Sequence, residues 1–233
     1  MKSRGNRLNK QGAYFFWRGP INTLSGWDVA GVEQSAWGTA NVKLPSVIYV
    51  DANNVTFANN IKLESLPKIL PKIGCSLFAS GCTSLKSYDF GSKTKSDQPF
   101  SLAFQSCTSL VSVTNIPFQK LMYSSGYYNI FSGCVALTTL TFQKGSQIGG
   151  EFDCGDCPLD DNSVLAIAFI LSTEQYYQST LKLKSSTATT QSTEHVRLKQ
   201  SGDGLEFCNV GDSGDLGTLA EYITNKGWTL TLV

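Results

Sequence analysis

One histidine, seven cysteines and a cluster of five acids are the side chains from which this 233-residue chain could build chemistry. Histidine catalysis needs an imidazole held in a pocket by an orienting partner, whereas His195 follows the Ser/Thr-rich run SSTATTQSTE at 185–194 and is expected to be solvated. Ser–His–Asp and Cys–His arrangements would have to use that residue, so both classes fall with it. Cys154, Gly155, Asp156 and Cys157 form a CxxC. Zinc would need a second ligand pair and thioredoxin-like exchange a βαβ setting, and the sequence offers neither. Glu151, Asp153, Asp156, Asp160 and Asp161 lack the alternating order of a calcium loop and read as a solvated turn. QKGSQIGG at 143–150 has glycines but no GK[ST], and reads as a connecting turn. No catalytic residue, metal or cofactor is therefore expected.

The other cysteines recur. FANNIKLESL at 57–66, FASGCTSLKSY at 78–88, FQSCTSLVSV at 104–113 and FSGCVALTTL at 131–140 share a Phe-x-x-Cys-x-x-Leu frame. Asn60 replaces the cysteine in the first unit, one residue is inserted before Cys82 in the second, and FDCGDCPL at 152–159 is a degenerate fifth. The key position thus falls at Asn60, Cys82, Cys107, Cys134 and Cys157, steps of 22, 25, 27 and 23 residues. Such steps lie in the roughly 20–29-residue range of leucine-rich repeats.

Packing explains the choice of residue. Where a strand bends into its return segment the inward side chain must be small; Asn can satisfy backbone groups there, and a thiol can fill the gap as a compact hydrophobe. Short strands are expected at 110–113 and 137–142, stacking in parallel, with Phe104 and Phe131 closing the opposite wall.

The frame, with Thr-Ser before the leucine in CTSL at 82–85 and 107–110, closely resembles the BspA-type leucine-rich repeat over about residues 44–160. That resemblance implies an α/β fold, a short parallel β-solenoid of irregular leucine-rich repeats with an α/β C-terminal cap. It also implies an adhesin or host-interaction role, because family members are described as cell-surface adhesins; similar short repeat proteins occur in gut bacteria and their phages.

Three divisions are expected: an arm and entry segment at 1–43, the repeats at 44–160 and the cap at 161–233. Composition sets the wider limits. Hydrophobic residues make up 41% of the chain, enough for a buried core, and 19 basic against 18 acidic side chains leave no overall field to steer it toward nucleic acid or an anionic membrane. The longest apolar run, VLAIAFIL at 164–171, is too short to span a bilayer. AYFFW at 13–17 is too short for the apolar core of an export signal, and the low, odd cysteine count favours a reduced compartment.

Charge is concentrated at the start, where Lys2, Arg4, Arg7, Lys10 and Arg18 precede the first acid, Asp28. Arg4, Arg7, Lys10 and Arg18, interleaved with Tyr14, Phe15, Phe16 and Trp17, form a candidate docking arm. An N-terminal segment orders when it is tied down, and a neighbouring protein chain is favoured as what holds it over nucleic acid or packing on itself.

Beyond Pro158, Asp160, Asp161 and Asn162 are candidate N-caps for a helix through VLAIAFILSTEQYYQ. TLKLK at 180–184 alternates like a strand, and HVRLKQ at 195–200 is expected either to pair with it or to extend the stack. Leu216, Leu219, Ala220 and Ile223 share a helix face, Lys226 lies in the last turn, Gly227 stops the helix, and WTLTLV forms a last strand. This ending resembles phage-associated members of the same repeat group. The expected function is non-enzymatic: a phage virion component (capsid-decorating, fibre or tail protein) that docks on other virion proteins through its arm. LMYSSGYYNI at 121–130 would help present a repeat face suited to protein or glycan. The alternative is a bacterial cell-surface adhesin.

Overall fold

The computed structural model describes residues 15–16, 47–52, 57–61, 63–66, 68–73, 78–92, 102–118, 129–174, 179–185 and 196–233. They form an α/β structure of three small parallel sheets, one antiparallel hairpin and two helices. His195, Arg4, Arg7, Lys10, Tyr14, Trp17, Arg18 and most of 121–130 lie outside the described residues. Of the arm, Phe15–Phe16 form β1, which pairs in parallel with β2 (Val47–Ala52) of the same chain; β2 pairs with β3 (Lys68–Ile73).

The second sheet is set by the repeats. β4 (Ser87–Asp89), β5 (Ser112–Ile116) and β6 (Thr139–Phe142) align Ser87 with Ser112 and Thr139, and Tyr88 with Val113 and Leu140. Alternation sends Tyr88, Val113 and Leu140 into the core and leaves the Ser/Thr row outside. β5 and β6 each begin two residues later than expected, because Leu110 and Leu137 close the preceding turn by donating their N–H groups to the Cys107 and Cys134 carbonyls. A bulge between Val113 and Ile116 puts Asn115 at φ 55°.

The bends are as regular as the strands. The residue before each ladder position is left-handed in four successive units: Asn59, Gly81, Ser106 and Gly133, at φ 62°, 74°, 60° and 75°. Glycine and asparagine tolerate this region, and at Gly133 a Cβ would also stand 3.3 Å from the Ser106 Cα of the unit below. The N–H of each such residue donates onward, Asn59 to the Ser80 carbonyl, Gly81 to Gln105 and Ser106 to Ser132. Gly133 instead donates to the carboxylate Oδ2 of Asp156, at 2.7 Å.

A helix seals the far side of β6. α1 (Asp161–Ile170) is N-capped by Asp160, whose carboxylate accepts from the Ser163 N–H at 2.8 Å. Buried Ser163 stands where a further strand would lie: its hydroxyl accepts from the Leu140 N–H and donates to the Thr138 carbonyl. The helix ends well before the expected Tyr and Gln residues because Leu171 turns extended and its segment bridges Ile148 in parallel.

The third sheet, ordered β11-β8-β7, joins β7 (Phe152–Cys154), β8 (Thr180–Leu183) and β11 (Thr229–Leu232), all parallel. HVRLKQ neither pairs with β8 nor extends the stack. β9 (Arg197–Ser201) instead forms an antiparallel hairpin with β10 (Gly204–Cys208). α2 (Leu219–Asn225) is shorter than the pattern suggested: Leu216 precedes it, and Thr218 caps it in a capping box with Glu221. Gly227 has φ 82°, as a helix stop requires. Among the described residues no helix is long and apolar enough to cross a membrane.

Candidate binding groove

The ladder positions come together as one column. Asn60, Cys82, Cys107 and Cys134 are fully buried and Cys157 nearly so. Each thiol donates to the unit before it: Cys82 to the Phe57 carbonyl (3.1 Å), Cys107 to Ala79 (3.0 Å), Cys134 to Phe104 (3.0 Å) and Cys157 to Phe131 (3.5 Å). Every acceptor lies three residues before the previous ladder residue, so the insertion in the second unit is absorbed by Ala79 taking the place of Phe78. Asn60 donates to the carbonyls of Phe57 and Ala58. Its own Oδ1 is buried with no partner among the described residues.

Burial pushes the Cys82 thiol up to about 11 and Cys107 up to about 12, and raises Cys134 and Cys154 as well. A buried thiol kept protonated is a poor nucleophile and a poor ligand. Acids of the 151–162 cluster make local contacts. Glu151 and Asp153 pair with Lys182, Asp156 takes the Gly133 N–H, and Asp160 caps α1. Among the described residues no three His, Cys, Asp or Glu side chains converge on a common centre.

Asp89, at the end of β4, is the one carboxylate in the strands of the second sheet. Partial burial opposes its charge, but hydrogen bonds from the Asn115 amide, Lys68 and the Gly91 N–H hold it well below the usual carboxylate range. The site is saturated, since the Thr114 hydroxyl also donates to it. Its role is to tie β3, β4 and β5 together.

Two concavities stand out among the described residues. One, of about 530 Å³, is lined by Arg197, Asp215, Gly217 and Glu221. Its charges are consumed locally: Arg197 binds both Asp215 oxygens at 2.9 and 3.0 Å and Glu221 at 3.1 Å, and Glu221 also accepts from the Thr218 N–H in the capping box.

The other, of about 670 Å³, lies between β6, α1 and the β9–β10 hairpin. Its floor is Phe142 at the end of β6, Leu165, Ala166 and Phe169 along α1, and Leu205 of β10. The turn Gln143–Gln147 forms one wall and the hairpin tip Asp203–Gly204 the other. Lys144 and Asp203 join the walls by an exposed ion pair at 2.7 Å. Gln147 and Asn162 stand exposed on the rim. Buried Ser146 fixes the turn by donating to the Ile116 carbonyl, and Gln143 does so by donating to the Gly91 carbonyl.

This groove was not evident from sequence. Its walls lie about sixty residues apart in the chain and meet only because α1 folds back over β6 and the hairpin packs on α1. The available signal was SGDG at 201–204 between RLKQ and LEFC, which marks a hairpin turn. No protein-family model, curated protein or solved structure matches the chain.

Proposed function

We propose that the chain is a non-enzymatic interaction protein built as a short parallel β-solenoid of irregular leucine-rich repeats of the BspA type, and that it serves as a structural component of a phage virion. The observation that carries this reading is the ladder: the thiols of Cys82, Cys107, Cys134 and Cys157 all donate to carbonyls of the preceding unit. Their chemistry is spent on stacking, which favours an architectural role and leaves the outward rows of the strands for contact. The basic and aromatic residues between Arg4 and Arg18 would supply a docking segment for another virion protein, and the helix-Lys-Gly-Trp-strand ending resembles that of phage-associated members of the same repeat group.

The test is mass spectrometry of virus particles purified from cells that express the chain. The expected result is its presence in stoichiometric amount, and its absence from particles refutes the virion assignment. Deleting residues 2–18 should abolish incorporation; unchanged incorporation refutes docking through the arm. A second reading, a bacterial surface adhesin, is favoured by the groove over α1, which combines apolar floor and polar rim as ligand sites do.

A further inference from the structure

We propose that the groove between β6, α1 and the β9–β10 hairpin is a binding site for a neutral oligosaccharide. The proposal rests on the reading of the chain as an interaction protein and names the ligand class of one of its surfaces.

Size comes first. At about 670 Å³ the groove falls within the roughly 300–1,000 Å³ of small-molecule sites, and it is open enough for a chain of sugars to run out of it. Charge narrows the class. The two charged groups on its walls, Lys144 and Asp203, neutralise each other at 2.7 Å, so among the described residues the site has no surplus cation for a phosphate or carboxylate and no surplus anion for an amine. Nucleotides and charged metabolites are disfavoured on that ground.

The remaining groups suit a sugar. Phe142 and Phe169, both half-buried, contribute ring surface to the floor, and a pyranose presents a flat C–H face that packs on such a surface. Gln147 and Asn162 on the rim carry a donor and an acceptor side by side, and each can meet two adjacent hydroxyls at once. The Gln143–Gln147 turn is braced from behind by Ser146 and Gln143, so the wall is formed before a ligand arrives.

The test uses the full chain on an array of neutral and acidic glycans, followed by calorimetric titration of the best-bound neutral oligosaccharide. Binding should be confined to neutral glycans. Asn162→Ala and Gln147→Ala, both on exposed side chains, should each weaken it about five- to tenfold, the net effect of losing an amide's solvent-exposed contacts. Phe169→Ala should weaken it more, and Thr229→Ala, on the remote strand β11, should leave it unchanged. Circular dichroism checks that each variant folds; if Phe169→Ala does not, the two rim variants decide. The proposal is overturned if no neutral glycan binds, or if binding survives both rim substitutions within twofold. Binding that Thr229→Ala alone abolishes would move the site elsewhere while keeping the adhesive reading. Groove-dependent binding by a chain absent from virus particles would remove the virion assignment and keep this site.

Discussion

The units between Phe57 and Asp160 and the segment from Asp161 to Val233 are held together by different chemistry. In the former, short side chains and backbone groups make the same few bonds again and again: a ladder thiol to a carbonyl, a left-handed N–H to the next unit, an aromatic ring on an aromatic ring. In the latter, long or charged side chains each perform one task. Lys226 donates to three carbonyls at the end of α1, those of Ala168, Phe169 and Leu171; Trp228 reaches the Ser172 carbonyl, and Arg197 braces Asp215 and Glu221. Repetition spreads stability over equivalent small contacts, whereas a unique end element concentrates it at individual residues.

The sharpest way to break that contrast is to remove a ring from the column. Phe104 packs against Phe78, Tyr88, Phe90 and Phe131 and is 1% exposed. Phe104→Ala should cost about 3–5 kcal/mol in denaturant unfolding. A loss below about 1 kcal/mol would mean that the column is not the core.

Alkaline pH should separate the two regions next. The ladder thiols lose their protons at about 9 when unfolded, but at about 11 for Cys82 and about 12 for Cys107 when folded. The folded chain therefore holds protons the unfolded chain has released. Stability falls as pH rises above 9, each thiol contributing a loss of up to about 1.4 kcal/mol for every pH step of one until its folded value is reached. Lys226 works the other way. Burial pushes its ammonium down to about 8 from 10.5, so between those values the unfolded chain binds more protons and stability rises with pH. Unfolding series from pH 8 to 11 should show a net fall, shallower in Cys107→Ala and steeper in Lys226→Met. Identical slopes in all three proteins would contradict the assignment.

Smaller effects sharpen the comparison. Asn60→Cys removes a buried ladder oxygen that has no partner among the described residues and should stabilise the fold by about 1 kcal/mol, read as a higher unfolding midpoint. Thr218→Ala, which deletes one side of the capping box of α2, should destabilise by a similar or slightly smaller amount.

Much of the repeating region was legible because its constraint is local and recurs. A residue that must be small and face inward leaves the same mark at Asn60, Cys82, Cys107, Cys134 and Cys157, and all five occupy one buried column. The left-handed residue before each of the first four was written in the same units, as Asn59, Gly81, Ser106 and Gly133, but Ser does not announce a positive φ, so the regularity is hard to see without the backbone. The later region is less legible. The apolar run at 164–171 signals burial without saying where helix gives way to extended chain, and that point is set by Ile148, a distant backbone. Strand β8 reads as a strand, but its partners β7 and β11 lie on either side of it in sequence, and alternation alone does not select them. The groove depends on all of these placements together and was hidden for that reason.

Asp156 has a consequence for how such a chain can change length. By supplying a carboxylate oxygen where earlier units receive a main-chain carbonyl, it lets the fifth unit take the last left-handed N–H with a side chain instead of its backbone. Duplicating the 25 residues that separate Cys82 from Cys107 would insert one more storey below that contact, leaving the contact, helix α1 and the groove beside it untouched. The height of the repeating region could thus change by internal duplication while the elements that follow it stay the same.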